Sequence, residues 1–98
     1  EDGHIASLFP GMPGLAPALD LQAAPGALCA QAPSEPRQRL SLNLALLLQT
    51  QWLGLLAFGQ SKKQLIDAVL ADMPQSRALP LRALLTAGRL PLRIYWAP

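Results

Sequence analysis

The sequence predicts an α/β protein with a mostly parallel sheet, and three features point to this class. Residues 52–58 form a short, continuously apolar segment, which is typical of a parallel strand buried on both faces. Residues 62–73 predict an amphipathic helix directly after it. Predicted elements also alternate along the chain in the order strand, helix, strand, helix, strand. The apolar stripe of the amphipathic helix consists of Leu65, Ile66, Val69, Leu70 and Met73.

Several shorter elements are predicted ahead of the apolar strand. A loop with one helical turn, at about residues 15–21, comes first. Residues 26–32 are a short apolar run between prolines, and we interpret them as a strand; the Pro-rich residues 33–36 then interrupt regular structure. Residues 39–44 alternate polar and apolar side chains, as a half-buried strand does. Residues 44–50 contain mainly good helix formers and predict a short helix.

The chain closes with a short helix and a strand. The helix is predicted for residues 81–87, with Pro80 near its first turn and Gly88 just after its end, which are the positions that these residues favour. Residues 90–96 predict a strand. Pro91 indicates an edge position or the start of the strand, because proline has no N–H to donate to a neighbouring strand.

Length and composition fit one small folded domain. The 98 residues are 51% hydrophobic and 14% charged, which argues against a disordered chain. The apolar runs are too short to cross a bilayer, so no membrane partner is predicted. The single cysteine, Cys29, cannot form an internal disulfide, and we expect a small buried hydrophobic side chain in a reducing, cytoplasmic compartment.

The net charge of +2 is distributed unevenly. Residues 1–36 hold four acidic groups and no Lys or Arg, giving −4, whereas residues 37–98 hold all eight basic groups against two acidic ones, giving +6. This asymmetry is compatible with an anionic ligand in the second part of the chain. The basic residues are too sparse, and too poor in interleaved aromatics, to predict a nucleic-acid partner.

His4, the only histidine, is the first candidate for chemistry. An imidazole can accept and return a proton near neutral pH. Asp2 could orient the ring or stabilise its charged form, and Gly3 would permit a close approach of ligand to backbone. A lone histidine in a loop is more often solvated or packed, so the spacing alone leaves both interpretations open.

Lys62 is the second candidate, and helical geometry separates it from its neighbour Lys63. Lys62 lies on the same predicted face as Ile66 and Val69, whereas Lys63 pairs with Asp67 on the solvated side. Lys62 also lies at a helix amino end just beyond a buried strand, where free N–H groups and the helix dipole favour an anion. It either binds a phosphate there or extends past its apolar neighbours to water.

Residues 2–11, DGHIASLFPG, resemble the signature of bacterial 6-phosphogluconolactonases, within the glucosamine-6-phosphate isomerase/6-phosphogluconolactonase superfamily. The family motif reads DGHxASLFPG, and every fixed position is present. Residues 59–62, GQSK, fall where the superfamily has Gly-x-x-Lys. Residues 39–47 keep part of the family's RxTLTLPxL, although Asn43 replaces Thr and Ala45 replaces Pro.

The resemblance implies a Rossmann-like layered sheet and the hydrolysis of 6-phospho-D-glucono-1,5-lactone to 6-phospho-D-gluconate, a step of the pentose phosphate pathway. It implies that His4 is the catalytic acid/base, with Asp2 beside it and the backbone of Gly3 near the substrate. It also implies that Lys62 binds the sugar phosphate. Neither a metal nor a cofactor is expected.

Arg37 and Arg39 are further candidates for phosphate binding. Both lie beside the Pro-rich loop, from which a guanidinium could reach the phosphate. An arginine just before a strand is more often solvated or ion-paired, so this alternative stays open for each.

Two other functions are considered. A glucosamine-6-phosphate deaminase is disfavoured because residues 7–11, SLFPG, match the lactonase motif. A non-catalytic fragment that packs on a partner chain is the other alternative. We expect residues 1–98 to be the C-terminal portion of a 6-phosphogluconolactonase-like domain, because the family has a strand and a Gly-x-Gly turn just before this motif. Its partners would then be the missing N-terminal portion and, as a further option, a second copy, and the isolated piece would be inactive.

Overall fold

Residues 2–98 are described by the structure, a computed structural model, and they form an α/β fold as predicted. The elements in chain order are α1 (Leu15–Ala18), β1 (Ala27–Gln31), β2 (Gln38–Leu42), α2 (Leu44–Leu47), β3 (Leu53–Phe58), α3 (Gln60–Leu70), α4 (Pro80–Leu85) and β4 (Leu92–Ala97). A single 3-10 turn, Pro74–Ser76, lies between α3 and α4.

β3 and β4 form the parallel part of the fold, with Leu53 opposite Leu92 and Phe58 opposite Ala97. The connection between them contains α3 and α4, as a parallel crossover requires. Leu55 and Ala57 of β3 join the hydrophobic core together with these helices. The crossover therefore covers one face of the two-stranded sheet.

The second face of β3 is exposed within residues 2–98, so the prediction of burial on both faces is wrong for the described chain. Leu56 and Phe58 are 68% and 55% exposed, and the neighbouring Trp52 and Tyr95 are 48% and 46% exposed. These four residues are called the exposed sheet face below. The reason is geometric: the two crossover helices lie on the opposite side, with Leu55.

β1 and β2 form an antiparallel hairpin, which the sequence pattern did not predict. Ala27 lies opposite Leu42, and the Pro-rich residues 32–37 connect the strands. Ala30 is buried in the core, whereas Cys29 is exposed as a free thiol. The expected burial of Cys29 is therefore wrong, because successive residues of a strand point to opposite faces and Ala30 takes the inward position.

α3 begins two residues earlier than predicted and ends three residues earlier. Ile66 and Val69 are buried as expected, but Leu70 and Met73 are 63% and 43% exposed. The predicted stripe fails at its end for two reasons. Leu70 is rotated by about 100° from Val69 toward solvent, since an α-helix has 3.6 residues per turn. Met73 lies beyond the last helical residue.

The centre of the core lies where the N-terminal segment meets α2. Leu8 and Leu44 are both fully buried, and Ile5 and Phe9 lie in the same cluster. The residues that carry the DGHIASLFPG motif are therefore held by packing against the rest of the domain. Across residues 2–98, we find no helix with both the length and the apolar character that crossing a membrane requires.

Candidate active site

A cavity of about 200 Å³ lies at the carboxyl end of β3, where ligands bind in open α/β sheets. His4 and Gly3 line it from the N-terminal segment, Lys62 lines it from the first turn of α3, and Leu81 lines it from α4. Apolar residues of β3 and α3 form the remaining wall. The two side chains singled out from the sequence, the imidazole and the lysine, thus face one cavity.

His4 and Asp2 form a hydrogen-bonded pair at the edge of the cavity. His4 Nδ1 lies 2.6 Å from Asp2 Oδ1, and the backbone N–H of His4 donates to the same oxygen at 3.1 Å. An ionised carboxylate can only accept, so the Nδ1 nitrogen carries the proton. In the neutral ring this leaves the lone pair on Nε2, the nitrogen that a general base would use.

The environment of Asp2 favours its ionised form. Partial burial alone would raise the pKa of Asp2, but the hydrogen bonds from the His4 ring and from its backbone N–H, together with the ring's charge, outweigh burial. The pKa of Asp2 therefore lies below its ordinary value of 3.8. At neutral pH a carboxylate is available to stabilise a protonated imidazole. Glu1, the other carboxylate of this segment, lies outside the described residues.

Phe9 contacts the His4 ring, a contact that the sequence analysis did not predict. The two ring centroids are 4.5 Å apart, and the planes meet at 25°. Residues 5–8 reverse the chain, because Ile5 and Leu8 exchange two backbone hydrogen bonds, and this turn returns Phe9 to the side of His4. The signal that could have revealed the contact is an aromatic residue placed just after a turn that itself follows the histidine.

Gly3 connects the motif to α4 and has no room for a side chain. Its φ is +78°, and an added Cβ would lie 2.9 Å from Leu79 Cδ1 and 3.2 Å from Leu65 Cδ2. Its carbonyl oxygen accepts a hydrogen bond from Leu81 N at 2.9 Å. Glycine at this position thus allows the close packing that brings His4 to the cavity.

The two lysines of α3 have separate environments. Helical spacing correctly predicted the pair of Lys63 with Asp67, but the expected order of burial is wrong, because Lys62 is exposed and Lys63 is half-buried against the Trp96 ring. Lys63 Nζ lies 2.9 Å from Asp67 Oδ2, while Lys62 lines the cavity. Within residues 2–98, Lys62 makes no ion pair, and no side chain caps the amino end of α3. The cationic side chain and the uncapped first turn therefore lie together, as an anion site requires.

The turn that presents Lys62 is fixed by β4. Trp96 Nε1 donates a hydrogen bond to the Gly59 carbonyl oxygen at 2.7 Å, and Gly59 N donates to Ala97 O at 2.9 Å. Gly59 has φ +90° and ψ 160°, a backbone conformation that only glycine adopts readily. The Trp96 side chain therefore holds the start of α3.

The two arginines lie away from the lining of the cavity. Arg37 makes an ion pair with Glu35 at 3.1 Å and donates to the Pro33 carbonyl within its own loop. Arg39 donates from Nε to Pro36 O at 2.6 Å, and its Cζ lies 5.7 Å from the centre of the Phe9 ring. Neither guanidinium is brought to the cavity, and their role in phosphate binding stays a prediction.

Among residues 2–98, no group of three or more His, Cys, Asp or Glu residues is placed to hold a metal ion. The Asp2–His4 pair consists of two groups joined by one side-chain hydrogen bond.

Comparison with known proteins gives the family. A family model described as glucosamine-6-phosphate isomerases/6-phosphogluconolactonase matches residues 1–96. The chain is 45% identical over 98 residues to a 6-phosphogluconolactonase of Pseudomonas aeruginosa, covering 100% of this chain and 40% of that protein. It is 46% identical over 99 residues to a 6-phosphogluconolactonase of Caulobacter vibrioides, covering 98% of this chain and 40% of that protein.

A solved structure agrees with these relatives. The crystal structure of a 6-phosphogluconolactonase from Shewanella baltica matches with a TM-score of 0.80 and 28% identity, covering 99% of this chain and 40% of that chain. The chain thus spans about two-fifths of the length of the relatives that it matches. By the family model, the sequence identities and the shared fold, this chain belongs to the glucosamine-6-phosphate isomerase/6-phosphogluconolactonase family.

Proposed function

We propose that the protein containing this chain hydrolyses 6-phospho-D-glucono-1,5-lactone to 6-phospho-D-gluconate, the pentose-phosphate step. The observation that carries the proposal is that His4 and Lys62 line the same cavity. A proton carrier and a phosphate-binding cation then face one substrate. The names of the relatives, which are 6-phosphogluconolactonases, support the same reaction.

His4 is the proposed general acid/base. Its Nε2 takes a proton from water as the water oxygen bonds to the lactone carbonyl carbon. The tetrahedral intermediate then collapses, the bond between that carbon and the ring oxygen breaks, and the imidazolium returns the proton to the departing oxygen. Asp2 stabilises the imidazolium through the 2.6 Å hydrogen bond to Nδ1. General acid–base help of this kind contributes about 10²–10⁴-fold to the rate.

Lys62 and the first turn of α3 are the proposed phosphate site. The ammonium group and the uncapped N–H groups at the helix start would bind the phosphoryl oxygens. Binding at this group, remote from the reacting carbon, positions the carbonyl near His4. Of the two arginines proposed to assist, Arg39 contacts Phe9, which stacks on His4, while Arg37 would first have to leave Glu35.

The role of His4 is tested by His4→Gln in the protein containing this chain. We expect kcat for the lactone to fall by about 10²–10⁴-fold, because the general base is lost. A coupled assay that follows 6-phosphogluconate formation measures this, with circular dichroism as the check on folding. Turnover close to that of the parent protein would remove His4 from the reaction.

The role of Lys62 is tested against its neighbour. Lys62→Ala should raise KM for the phosphorylated lactone. The control Lys63→Ala loses the ion pair with Asp67 and a cation–π contact with the Trp96 ring, both outside the cavity lining, and should change KM far less. Each variant removes one lysine side chain, and the two lysines are adjacent in α3. An equal KM for both variants contradicts the proposed phosphate site.

We also infer that the isolated chain is inactive and that the remainder of a relative-length protein covers the exposed sheet face. In support, the chain spans about 40% of its relatives, and four large apolar residues lie uncovered on β3 and β4 or beside them. A cytoplasmic location is compatible with the exposed free thiol of Cys29. Release of ammonia from glucosamine 6-phosphate by the same protein, without lactone hydrolysis, would instead favour the deaminase branch of the family.

A further inference from the structure

We propose that Phe9 is a positioning residue that fixes the plane of the His4 ring in the cavity. This inference rests on the proposed function, because it concerns the proton-transfer step assigned to His4. It starts from the stacked contact between the two rings, 4.5 Å apart and inclined by 25°.

His4 needs a second constraint besides Asp2. The hydrogen bond to Asp2 fixes the position of Nδ1, but the ring can still pivot about that contact, since the outer torsion of a histidine side chain has a broad energy profile. The His4 side chain is also 44% exposed, so surrounding packing restrains it on only part of its surface. A flat surface against the ring removes the remaining freedom.

Phe9 is itself held firmly enough to act as that surface. It is only 6% exposed, and it follows Leu8, which is fully buried. The preceding turn is attached to β2, because Ser7 N donates a hydrogen bond to Ser41 Oγ at 3.2 Å. Arg39, also on β2, lies over the Phe9 ring, a favourable placement of a cation on an aromatic face. The hairpin therefore supports Phe9, and Phe9 supports His4.

The contacts of Asp2 and Phe9 with the His4 ring together control the direction in which Nε2 points. With Nδ1 bonded to Asp2 and one ring face against Phe9, Nε2 is the ring nitrogen left for the substrate. Removing the aromatic surface frees the ring without touching Lys62. We therefore expect the loss to fall on kcat and not on KM, and misplacement of a reacting group can cost roughly 10²-fold.

The first test is a measurement on the parent protein containing this chain. Ring protons that lie over an aromatic face are shielded, so the carbon-bound imidazole protons of His4 should resonate upfield of those in a short peptide. NMR with labelled histidine measures this, and His4→Gln identifies the signals. Unshielded His4 protons would overturn the inference, whether or not any Phe9 variant folds.

The second test separates positioning from packing. Phe9→Leu should lower kcat by roughly 10- to 100-fold with KM unchanged, and it should remove the upfield shift of the His4 protons. Phe9→Tyr, which keeps the ring, should restore both. Leu48→Ala, a truncation of another buried residue of the same core, should reduce stability but leave kcat and the His4 signals as they are.

The outcomes distinguish the positioning role of Phe9 from the proposed lactone hydrolysis on which it rests. If the parent protein does not hydrolyse the lactone, the proposed function fails. If the parent protein is active and His4→Gln is not, but folded Phe9→Leu retains the parent kcat, then only the positioning role of Phe9 fails.

Discussion

Asp2 accepts two hydrogen bonds from a single residue, one from the His4 ring and one from its backbone N–H. Together they lower the pKa of Asp2 below 3.8, against the effect of its partial burial. A group whose folded pKa is depressed stabilises the fold above its unfolded pKa and loses that contribution as the pH falls through the folded value. The Asp2–His4 pair therefore stabilises the N-terminal segment at neutral pH, and this contribution is lost in acid.

This link is tested by Asp2→Asn. At neutral pH the variant should have the lower free energy of unfolding, because it lacks the ionised carboxylate. As the pH falls from 3.8 through the lower folded pKa of Asp2, the carboxylate of the parent protein becomes protonated, and the difference between the two proteins should shrink toward zero. Urea unfolding at a series of pH values measures it. A difference that stays constant into the acid range would show that the charge of Asp2 does not contribute.

Single residues differ in how far the sequence alone could place them. The pairing of Lys63 with Asp67 followed from helical spacing, and the placement of Lys62 at the cavity followed from its position at a helix amino end after a strand; both signals are local. The stack of Phe9 on His4 did not, because it depends on a backbone reversal in which Ala6 adopts a φ of 47°. Alanine rarely adopts a positive φ, so the identity of residue 6 does not predict that turn.

Asn43 organises the junction between the hairpin and α2. Its Oδ1 accepts hydrogen bonds from Leu46 N at 2.9 Å and from Gly26 N at 3.2 Å, and its Nδ2 donates to Ala24 O at 2.9 Å. The residue is only 8% exposed. One buried amide thus caps α2 and also fixes the start of β1, a position where the family pattern has Thr.

Replacing this amide should have a large effect for a single side chain. Asn43→Ala removes a helix cap, worth about 1 kcal/mol, and leaves the half-buried Gly26 N–H unpaired, at about 1–3 kcal/mol. Ala24 is exposed, so its carbonyl oxygen can bond water instead. We expect the free energy of unfolding to fall by about 2–4 kcal/mol.

A threonine at position 43 separates the capping of α2 from the hydrogen bond that the amide donates to Ala24 O. Asn43→Thr should recover the capping of Leu46 N but not the donation to Ala24 O, so its stability should lie between those of Asn43→Ala and the parent protein. Chemical denaturation monitored by circular dichroism gives all three values. A loss below about 0.5 kcal/mol for Asn43→Ala, as at ordinary surface positions, would contradict the structural role of the amide.

Elements were predicted to within a few residues, but their pairing was not. The strands at residues 26–32 and 52–58 were recognisable because apolar runs bounded by breakers are a local signal. The antiparallel pairing of β1 with β2 depends on how the Pro-rich residues 32–37 turn. Inward and outward faces were also misjudged at Cys29 and Leu70, because burial depends on which neighbours cover an element.

At the scale of the whole molecule, the described residues 2–98 leave one side of the parallel strands uncovered. A parallel sheet is normally packed on both faces, and the exposed sheet face consists of four large apolar side chains. Exposed apolar patches of this kind favour association. The relatives are longer than this chain, which spans 40% of the Pseudomonas aeruginosa protein. Additional chain from the same protein is therefore the proposed cover.

Leu56→Lys tests this cover in the isolated chain and in a relative-length protein. The substitution should be tolerated in the isolated chain and should destabilise the longer protein. In the isolated 98 residues, Leu56 is 68% exposed, so a lysine should leave stability within about 0.5 kcal/mol and reduce self-association, measured by sedimentation. In a relative-length protein the lysine would be buried, and losing a buried leucine alone costs about 1.5–3 kcal/mol. Leu70→Lys on α3, 63% exposed and away from the sheet face, is the matched control. Equal, small changes for Leu56→Lys in both settings would mean that the exposed sheet face remains open to water in the longer protein.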